Sequence, residues 1–274
     1  MDISAQLLVP FDEPQTVECV DGFEKGKISI IMPAYNEASV IANSIRNVKK
    51  MFHSLGMDYE IIVVDDGSTD ATGLIIEDLN DRGVKLVHYS TNKGKGHAFK
   101  AGFQEATGEF TFLIDSDSEI RPRNLASFIR ALRTADIAIG SKKHPASRVR
   151  TPAVRKILSA SVRVLVKMCI GIKSSDSQAG FKSARSSSVY RIIPLMSVKR
   201  YAFDVEFLTI ASLLGLRVVE LPIEIELNVI ASPKRILRTL VDILGITYRL
   251  RLRRWYQKNI IDMSNTYKPI IDWR

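Results

Sequence analysis

The stretch YEIIVVDDGSTD, residues 59–70, closes an apolar run on two aspartates and a short polar turn. A brief β-rich run of this kind is what a strand buried on both faces of a parallel sheet looks like. The residues after it read as a turn into a helix, with Ser68 or Thr69 capping and Asp70 in the first turn. Outward from this unit the same pattern repeats. KISIIMP (27–33) runs into PAYNE, VKLVHYS (84–90) into TNKGKG, EFTFLID (109–115) into SDSEI, and DIAIGS (136–141) follows. Between them, apolar residues at three- and four-residue spacing predict helices over 38–52, 70–80, 97–106 and 122–133. Strand and helix in alternation predict an α/β fold: a doubly wound, mostly parallel sheet flanked by helices, with ligands at the carboxyl ends of the strands. Each polar loop lies just after a strand, so groups distant in sequence are expected to converge on one cleft.

With 274 residues, 46% of them hydrophobic, the chain can build a sizeable core. Its two cysteines, Cys19 and Cys169, lie far apart and suggest neither a disulfide framework nor a zinc site. The four histidines show no metal spacing. No signal peptide, no glycosylation sequon and no uncharged run near the ~20 residues needed to span a bilayer is apparent, so the cytoplasmic side is expected.

The net charge of +9 is segregated. Ile137 to Ser175 holds nine basic residues and no acid; Pro233 to Lys258 holds eight against the single acid Asp242; the rest of the chain is net acidic. Two such surfaces point to something anionic: nucleic acid, lipid headgroups or a phosphorylated substrate. A solvated helix face is the alternative.

Residues 1–26 read as an N-terminal arm, 27–232 as one catalytic domain and 233–274 as a basic C-terminal attachment. Within the domain, a helix from about Pro152 to Gly171 precedes SDSQAGFKSAR, a helix over 203–214 and a strand over 217–225. From Pro233, Leu237, Leu240, Val241, Leu244 and Tyr248 fall at helical spacing with arginines gathering towards Trp255 and Tyr256. That is the pattern of an interfacial helix on an anionic membrane surface; a helix packed on the core or on a second protomer is the other reading.

In DSDSE, Asp115, Asp117 and Glu119 stand at alternate positions. Clustered carboxylates repel unless a cation shares them, and Mg²⁺ or Mn²⁺ suits such oxygen donors. The competing reading is that the acids start the helix near Pro122. NKGKG lacks the leading glycine and the Ser or Thr of a phosphate loop, and no dinucleotide fingerprint follows the first strand, which argues against a P-loop NTPase and a Rossmann dehydrogenase.

Taken in order, IIMPAYNEA, YEIIVVDDGSTDAT, NKGKGHAFKAG and FLIDSDSEI resemble the nucleotide-sugar domain of glycosyltransferase family 2, with its GT-A fold. DSQAGFK and RYAFDVEFL are similar to dolichyl-phosphate β-glucosyltransferases and, more loosely, to dolichyl-phosphate mannose synthases. The resemblance spans about Lys27 to Glu226. It implies that Pro33, Ala34, Tyr35, Glu37, Asp65 and Asp66 hold the nucleoside, with Lys95, Asp115, Ser116 and Asp117 completing the nucleotide-sugar site. It implies that Asp115 and Asp117 match the DxD pattern that binds metal, with Glu119 a third candidate ligand. It places the acceptor phosphate near Lys142 and Arg155, with Gln178 beside them, and gives catalytic parts to Asp117 and Asp176.

The expected activity is a metal-dependent, inverting transfer of a hexose from a nucleotide-diphosphate sugar to dolichyl or other polyprenyl phosphate, by a peripheral protein on the cytoplasmic face of a membrane. UDP-glucose is favoured and GDP-mannose next. The alternatives are a glycosyltransferase extending a lipid-linked or cell-surface glycan, and a basic nucleic-acid-binding protein; no nucleic-acid partner is expected under the main reading.

Overall fold

The computed structural model describes residues 8–10, 26–116, 120–122, 124–150, 153–171, 180–200, 202–226 and 233–266. The five strands expected up to residue 141 are present as β2 (Ile28–Ala34), β3 (Tyr59–Asp65), β4 (Val84–His88), β5 (Phe110–Ile114) and β7 (Ile137–Ser141). Between them lie α1 (Ile41–His53), α2 (Thr72–Asp78), α3 (Lys95–Gln104) and α4 (Leu125–Ala131). Two-residue alternation divides the strands between two cores. Ile31, Ile62, Val64 and Leu113 face one side of the sheet, and Ile30, Met32, Ile61, Val63, Phe112 and Ile114 face the other. Both sets are buried, as strands covered by helices on both faces require.

Other elements were not anticipated. β1 (Leu8–Pro10) lies in the N-terminal arm and pairs in parallel with β10 (Val218–Glu226). β6 (Ile120–Pro122) and β8 (Arg148–Arg150) pair with the far half of β10, antiparallel and parallel respectively. β9 (Phe181–Arg185) is antiparallel to both neighbours, β5 and β7, and is followed by α6 (Ser186–Ile192). The strand order is β1-β10-β7-β9-β5-β2-β3-β4. Along this path every pairing not involving β9 is parallel, so the sheet is mostly parallel as expected.

Two local expectations are corrected. Helix α2 begins at Thr72 with Ala71 at its N-cap and no side-chain cap, so Ser68 and Thr69 do other work. Pro122 lies in β6, and α4 starts after it with Asn124 as N-cap. A strand therefore stands between the acidic cluster and that helix, and the helix-start reading of the cluster falls away.

The basic C-terminal segment is broken. α8 (Pro233–Thr247) runs into a π-helical turn, Tyr248–Leu252; Arg254 takes a positive φ of 50°, and α9 (Trp255–Thr266) turns back. Ile243, Ile246, Leu250 and Tyr256 join the same buried cluster as Ile31 and Ile139, so this segment is packed into the core of the sheet domain. Much of the set expected on an apolar face stands on the other side: Leu237, Val241 and Leu244 are more than half exposed, and Tyr248 is half exposed. α8 thus has an inner apolar face that is buried and an outer one that is bare among the described residues. Outside the described residues lie Asp117, Glu119, Asp176 and Gln178; the helix carrying Arg155, α5 (Ala153–Cys169), is described but that side chain is not. No described helix is long and apolar enough to cross a membrane.

Candidate active site

β2 has β3 on one side and β5 on the other, so the chain reverses direction across the sheet there, the position at which open α/β sheets bind ligands. A cleft of about 390 Å³ opens at the carboxyl ends of these strands. It is lined by Pro33 and Ala34 at the end of β2, Tyr35 and Glu37 after it, Asp66 after β3, Asn92, Gly94 and Lys95 after β4, and Asp115 and Ser116 after β5. Arg200 and Arg238 complete the lining.

The loops are laced together by their own side chains. Asn36, at a positive φ of 56°, donates its backbone N–H to Ser68 Oγ (2.9 Å), and its side-chain oxygen accepts from the Thr69 N–H (2.8 Å). The Glu37 N–H donates to Thr72 Oγ1 (2.8 Å) and the Ala38 N–H to Asp70 (3.1 Å). The bond to Thr72 holds the Asp70 carboxyl below the usual carboxylate range, with the Thr72 and Ala38 N–H groups adding to it. Ser68, Thr69 and Asp70 therefore join the β2 and β3 loops.

The two aspartates after Val64 divide their work. Asp65, almost fully buried, accepts from the Ser68 N–H (2.9 Å) and pairs with His88 Nδ1 (3.0 Å); it is not among the residues lining the cleft. Asp66 reaches the cleft while taking the N–H groups of Lys93 and Gly94 (both 2.8 Å) and the Tyr89 hydroxyl (2.7 Å). Burial first, then the Asp66 carboxylate, pushes the Tyr89 phenol up, so it stays a donor. Gly94 takes a φ of 97°, and a Cβ there would sit 2.5 Å from the Lys199 carbonyl oxygen. That same carbonyl accepts the Gly96 N–H (2.8 Å), which ties the start of α3 to the segment carrying Arg200.

Whether this cleft suits a divalent cation turns on Asp115. Its Oδ1 is buried, accepts no well-aligned hydrogen bond and is ion-paired with Lys95. A Cβ on Gly180 would fall 2.0 Å from its other oxygen, so only glycine leaves the space in which the carboxylate sits. A carboxylate held at a cleft wall, with Ser116 beside it, is a hard oxygen donor of the kind Mg²⁺ and Mn²⁺ take. Among the described residues no three potential ligands converge, and the acids at 117 and 119 lie outside them.

Of the expected nucleotide-sugar residues, Pro33, Ala34, Tyr35, Glu37, Asp66, Lys95, Asp115 and Ser116 line one cleft. Of the expected acceptor-phosphate residues, Lys142 does not; the cations that do, besides Lys95, are Arg200 and Arg238.

Residues 29–189 match the description of glycosyl transferase family 2. The chain belongs to that family. As a family 2 glycosyltransferase it is 30% identical, over 90% of its length and 81% of the relative's, to the dolichyl-phosphate beta-glucosyltransferase of Dictyostelium discoideum. It is 29% identical to the undecaprenyl-phosphate mannosyltransferase of Micrococcus luteus, over 72% of this chain and 82% of that one. Glucosyl-3-phosphoglycerate synthase of Mycobacterium tuberculosis, solved with Mn²⁺, UDP-glucose and phosphoglyceric acid, superimposes with a TM-score of 0.63 at 16% identity, covering 88% of this chain and 87% of that one. The fold of this glycosyltransferase is accordingly GT-A, as the motifs implied.

Proposed function

We propose that this glycosyltransferase moves a hexose, glucose from UDP-glucose before mannose from GDP-mannose, onto a polyprenyl phosphate at the cytoplasmic surface of a membrane, with inversion at the anomeric carbon. The observation that carries the reading is the position of α8: one flank contributes Arg238 to the cleft while its outer side bears exposed Leu237, Val241 and Leu244. A helix that lines an active site and also presents a bare apolar stripe suits an acceptor whose phosphate enters the cleft while its chain stays in lipid. The two polyprenyl-phosphate relatives support the same acceptor, and the Dictyostelium relative supports glucose.

On this reading Pro33, Ala34, Tyr35, Glu37 and Asp66 form the nucleoside wall, and Asp65 supports it from behind through Ser68 and His88. Asp115 and Asp117 hold Mg²⁺ or Mn²⁺, with Glu119 as a third ligand; when bound, the ion stabilises charge building on the leaving diphosphate. Lys95, paired with Asp115, places a cation at the same wall. The acceptor needs no strong base, because a phosphate monoester with a second pKa near ~6 is largely ionised at neutral pH. Its oxygen forms the bond to the anomeric carbon as the bond from that carbon to the diphosphate breaks, and the electron pair leaves with the nucleoside diphosphate. Asp176 and Gln178 orient the sugar or acceptor, and Lys142 and Arg155 line the acceptor's approach. Residues 1–26, 27–232 and 233–274 serve as arm, catalytic body and membrane-associating segment.

The test is direct. Purified protein is incubated with dolichyl or undecaprenyl phosphate in vesicles, Mg²⁺ or Mn²⁺, and each common labelled nucleotide sugar in turn. Label is expected in the organic phase, most with UDP-glucose and none after chelation of the metal. No glycolipid from any donor overturns the reading.

A further inference from the structure

Three cations, Lys95, Arg200 and Arg238, line the cleft with three acids, Glu37, Asp66 and Asp115, and they are not engaged alike. Lys95 is neutralised by Asp115, and Asp66 is satisfied by the Lys93 and Gly94 N–H groups and Tyr89. Arg200 and Arg238 are different: among the described residues neither makes a salt bridge or a hydrogen bond, yet both line the cleft. They come from outside the strand-end loops. Arg200 ends the segment Ser197–Arg200, whose first two N–H groups are clamped on Glu206, and its stem packs over Gly94. Arg238 stands on α8, one residue from the exposed Leu237.

Asp242, one turn beyond Arg238, is the only acid between Pro233 and Lys258. It interacts electrostatically with Arg200 and Arg249 and keeps one buried carboxylate oxygen with no hydrogen-bond partner. Arg238, Asp242 and Arg249 thus recur down α8 and the π-helical turn at helical spacing, on a polar stripe beside the bare apolar one. Two guanidinium groups with no hydrogen-bonded or ion-paired carboxylate among the described residues, Arg200 only facing Asp242 through space, stand at a cleft edge bordered by an exposed apolar stripe and make a binding place for a doubly charged phosphate carried by a lipid.

We infer that Arg200 and Arg238 together form the acceptor-phosphate clamp of this enzyme, with α8 setting the clamp at the level of the membrane surface. The inference rests on the polyprenyl-phosphate reading above and adds the residues that select the acceptor. It separates the acceptor's cations from the donor's, Lys95 and the metal.

The experiment compares wild type with Arg200→Ala, Arg238→Ala and Arg238→Lys. One arm measures binding without turnover, as the extra affinity for phosphatidylcholine vesicles that dolichyl phosphate adds over the same vesicles without it. A second measures the Kd of UDP with Mn²⁺, and a third the KM of each substrate. Losing a charge-assisted contact is expected to weaken the dolichyl-phosphate increment and raise the lipid KM by about 10- to 100-fold, with the UDP Kd moving by less than about 3-fold. Arg238→Lys is expected to recover part of the loss. A loss of UDP affinity with lipid binding intact would assign these arginines to the donor and overturn the clamp, and so would unchanged values in both arms. A soluble arm, inhibition by glycerol 3-phosphate, identifies the source of the phosphate: if it competes as well as dolichyl phosphate, the placement at the membrane is wrong. Because the vesicle arm needs no sugar transfer, a protein that binds dolichyl phosphate through these arginines but forms no glycolipid would sink the proposed reaction and leave the clamp standing.

Discussion

Lys182 of β9 and Asp204 of α7 (Phe203–Leu213) meet at 2.7 Å, and each side chain is only 6% exposed. A buried pair of this kind adds little over a well-packed apolar pair, but removing one partner strands a charge and costs about 3–5 kcal/mol. Asp204→Ala or Lys182→Met is therefore expected to lower the melting temperature on the order of 10 °C. The double replacement Lys182→Met with Asp204→Leu should regain most of that in a thermal scan. Equal losses in the single and double variants would show that the pair matters through something other than its charge.

Gly180 leaves the space that the Asp115 carboxylate occupies, since an added Cβ would lie 2.0 Å from it. Gly180→Ala has no positive φ to strain, so its effect is expected to concentrate on the carboxylate. A displacement on the scale of an ångström is enough to reduce turnover by about 100-fold. Sugar transfer should fall by that much while the melting temperature stays near wild type; a collapse of both would mean the glycine serves the fold.

Glu206, fully buried, accepts the Ser197 and Val198 N–H groups (2.9 and 2.7 Å) and the Tyr256 hydroxyl, with Arg249 at 3.4 Å. Burial and then this carboxylate push the Tyr256 phenol up. One side chain thereby joins the segment carrying Arg200 to the C-terminal helices. Glu206→Gln puts an amide N–H among donors, and hydrogen exchange is expected to speed up together at 197–200 and 249–256. Tyr256→Phe removes two bonds, the one its hydroxyl donates to Glu206 and the one it accepts from Arg249 Nε (3.0 Å), and should cost about 2 kcal/mol in denaturant unfolding.

Glu60 takes bonds from the Ser29 hydroxyl, the Thr107 N–H and hydroxyl and the Lys27 ammonium, which outweigh burial and hold its carboxyl at about 2 rather than 4.5. The native state thus favours the ionised form more than the unfolded chain does. That stability is complete above pH 4.5 and is lost as pH falls towards 2. Glu60→Gln should flatten the acid limb of the stability curve across that window and leave its shape at neutral pH unchanged.

How much the chain discloses depends on whether a feature is local. Strands β2, β3 and β5 are runs of Ile, Val and Phe buried on both faces, so their periodicity and their loops are plain in the sequence. β9 is hidden because FKSAR buries Lys182 and Ser183, residues whose place in a central strand depends on Asp204 and on the neighbouring strands. The acids after β3 and β5 are visible because they sit next to the runs that position them. Arg200 and Arg238 reach the cleft from a loop and a helix far along the chain. The one local hint is Asp242, the lone acid between Pro233 and Lys258, one turn beyond Arg238. α8 carries two apolar stripes, and spacing alone cannot say which one meets the core: Ile243 and Ile246 pack inward, while Leu237, Val241 and Leu244 stand outward.

The central place of β9 also governs how this chain can be made. β2 to β5 form one slab and β7 with β10 another, and along the strand order β9 alone joins them. On the ribosome, the edges of β5 and β7 are complete long before residues 181–185 emerge, and open strand edges are templates for wrong pairing. A pause in translation before β9 would lengthen the time those two edges wait unpaired, so the yield of soluble enzyme should depend on elongation speed and chaperone supply at that point more than anywhere earlier in the message.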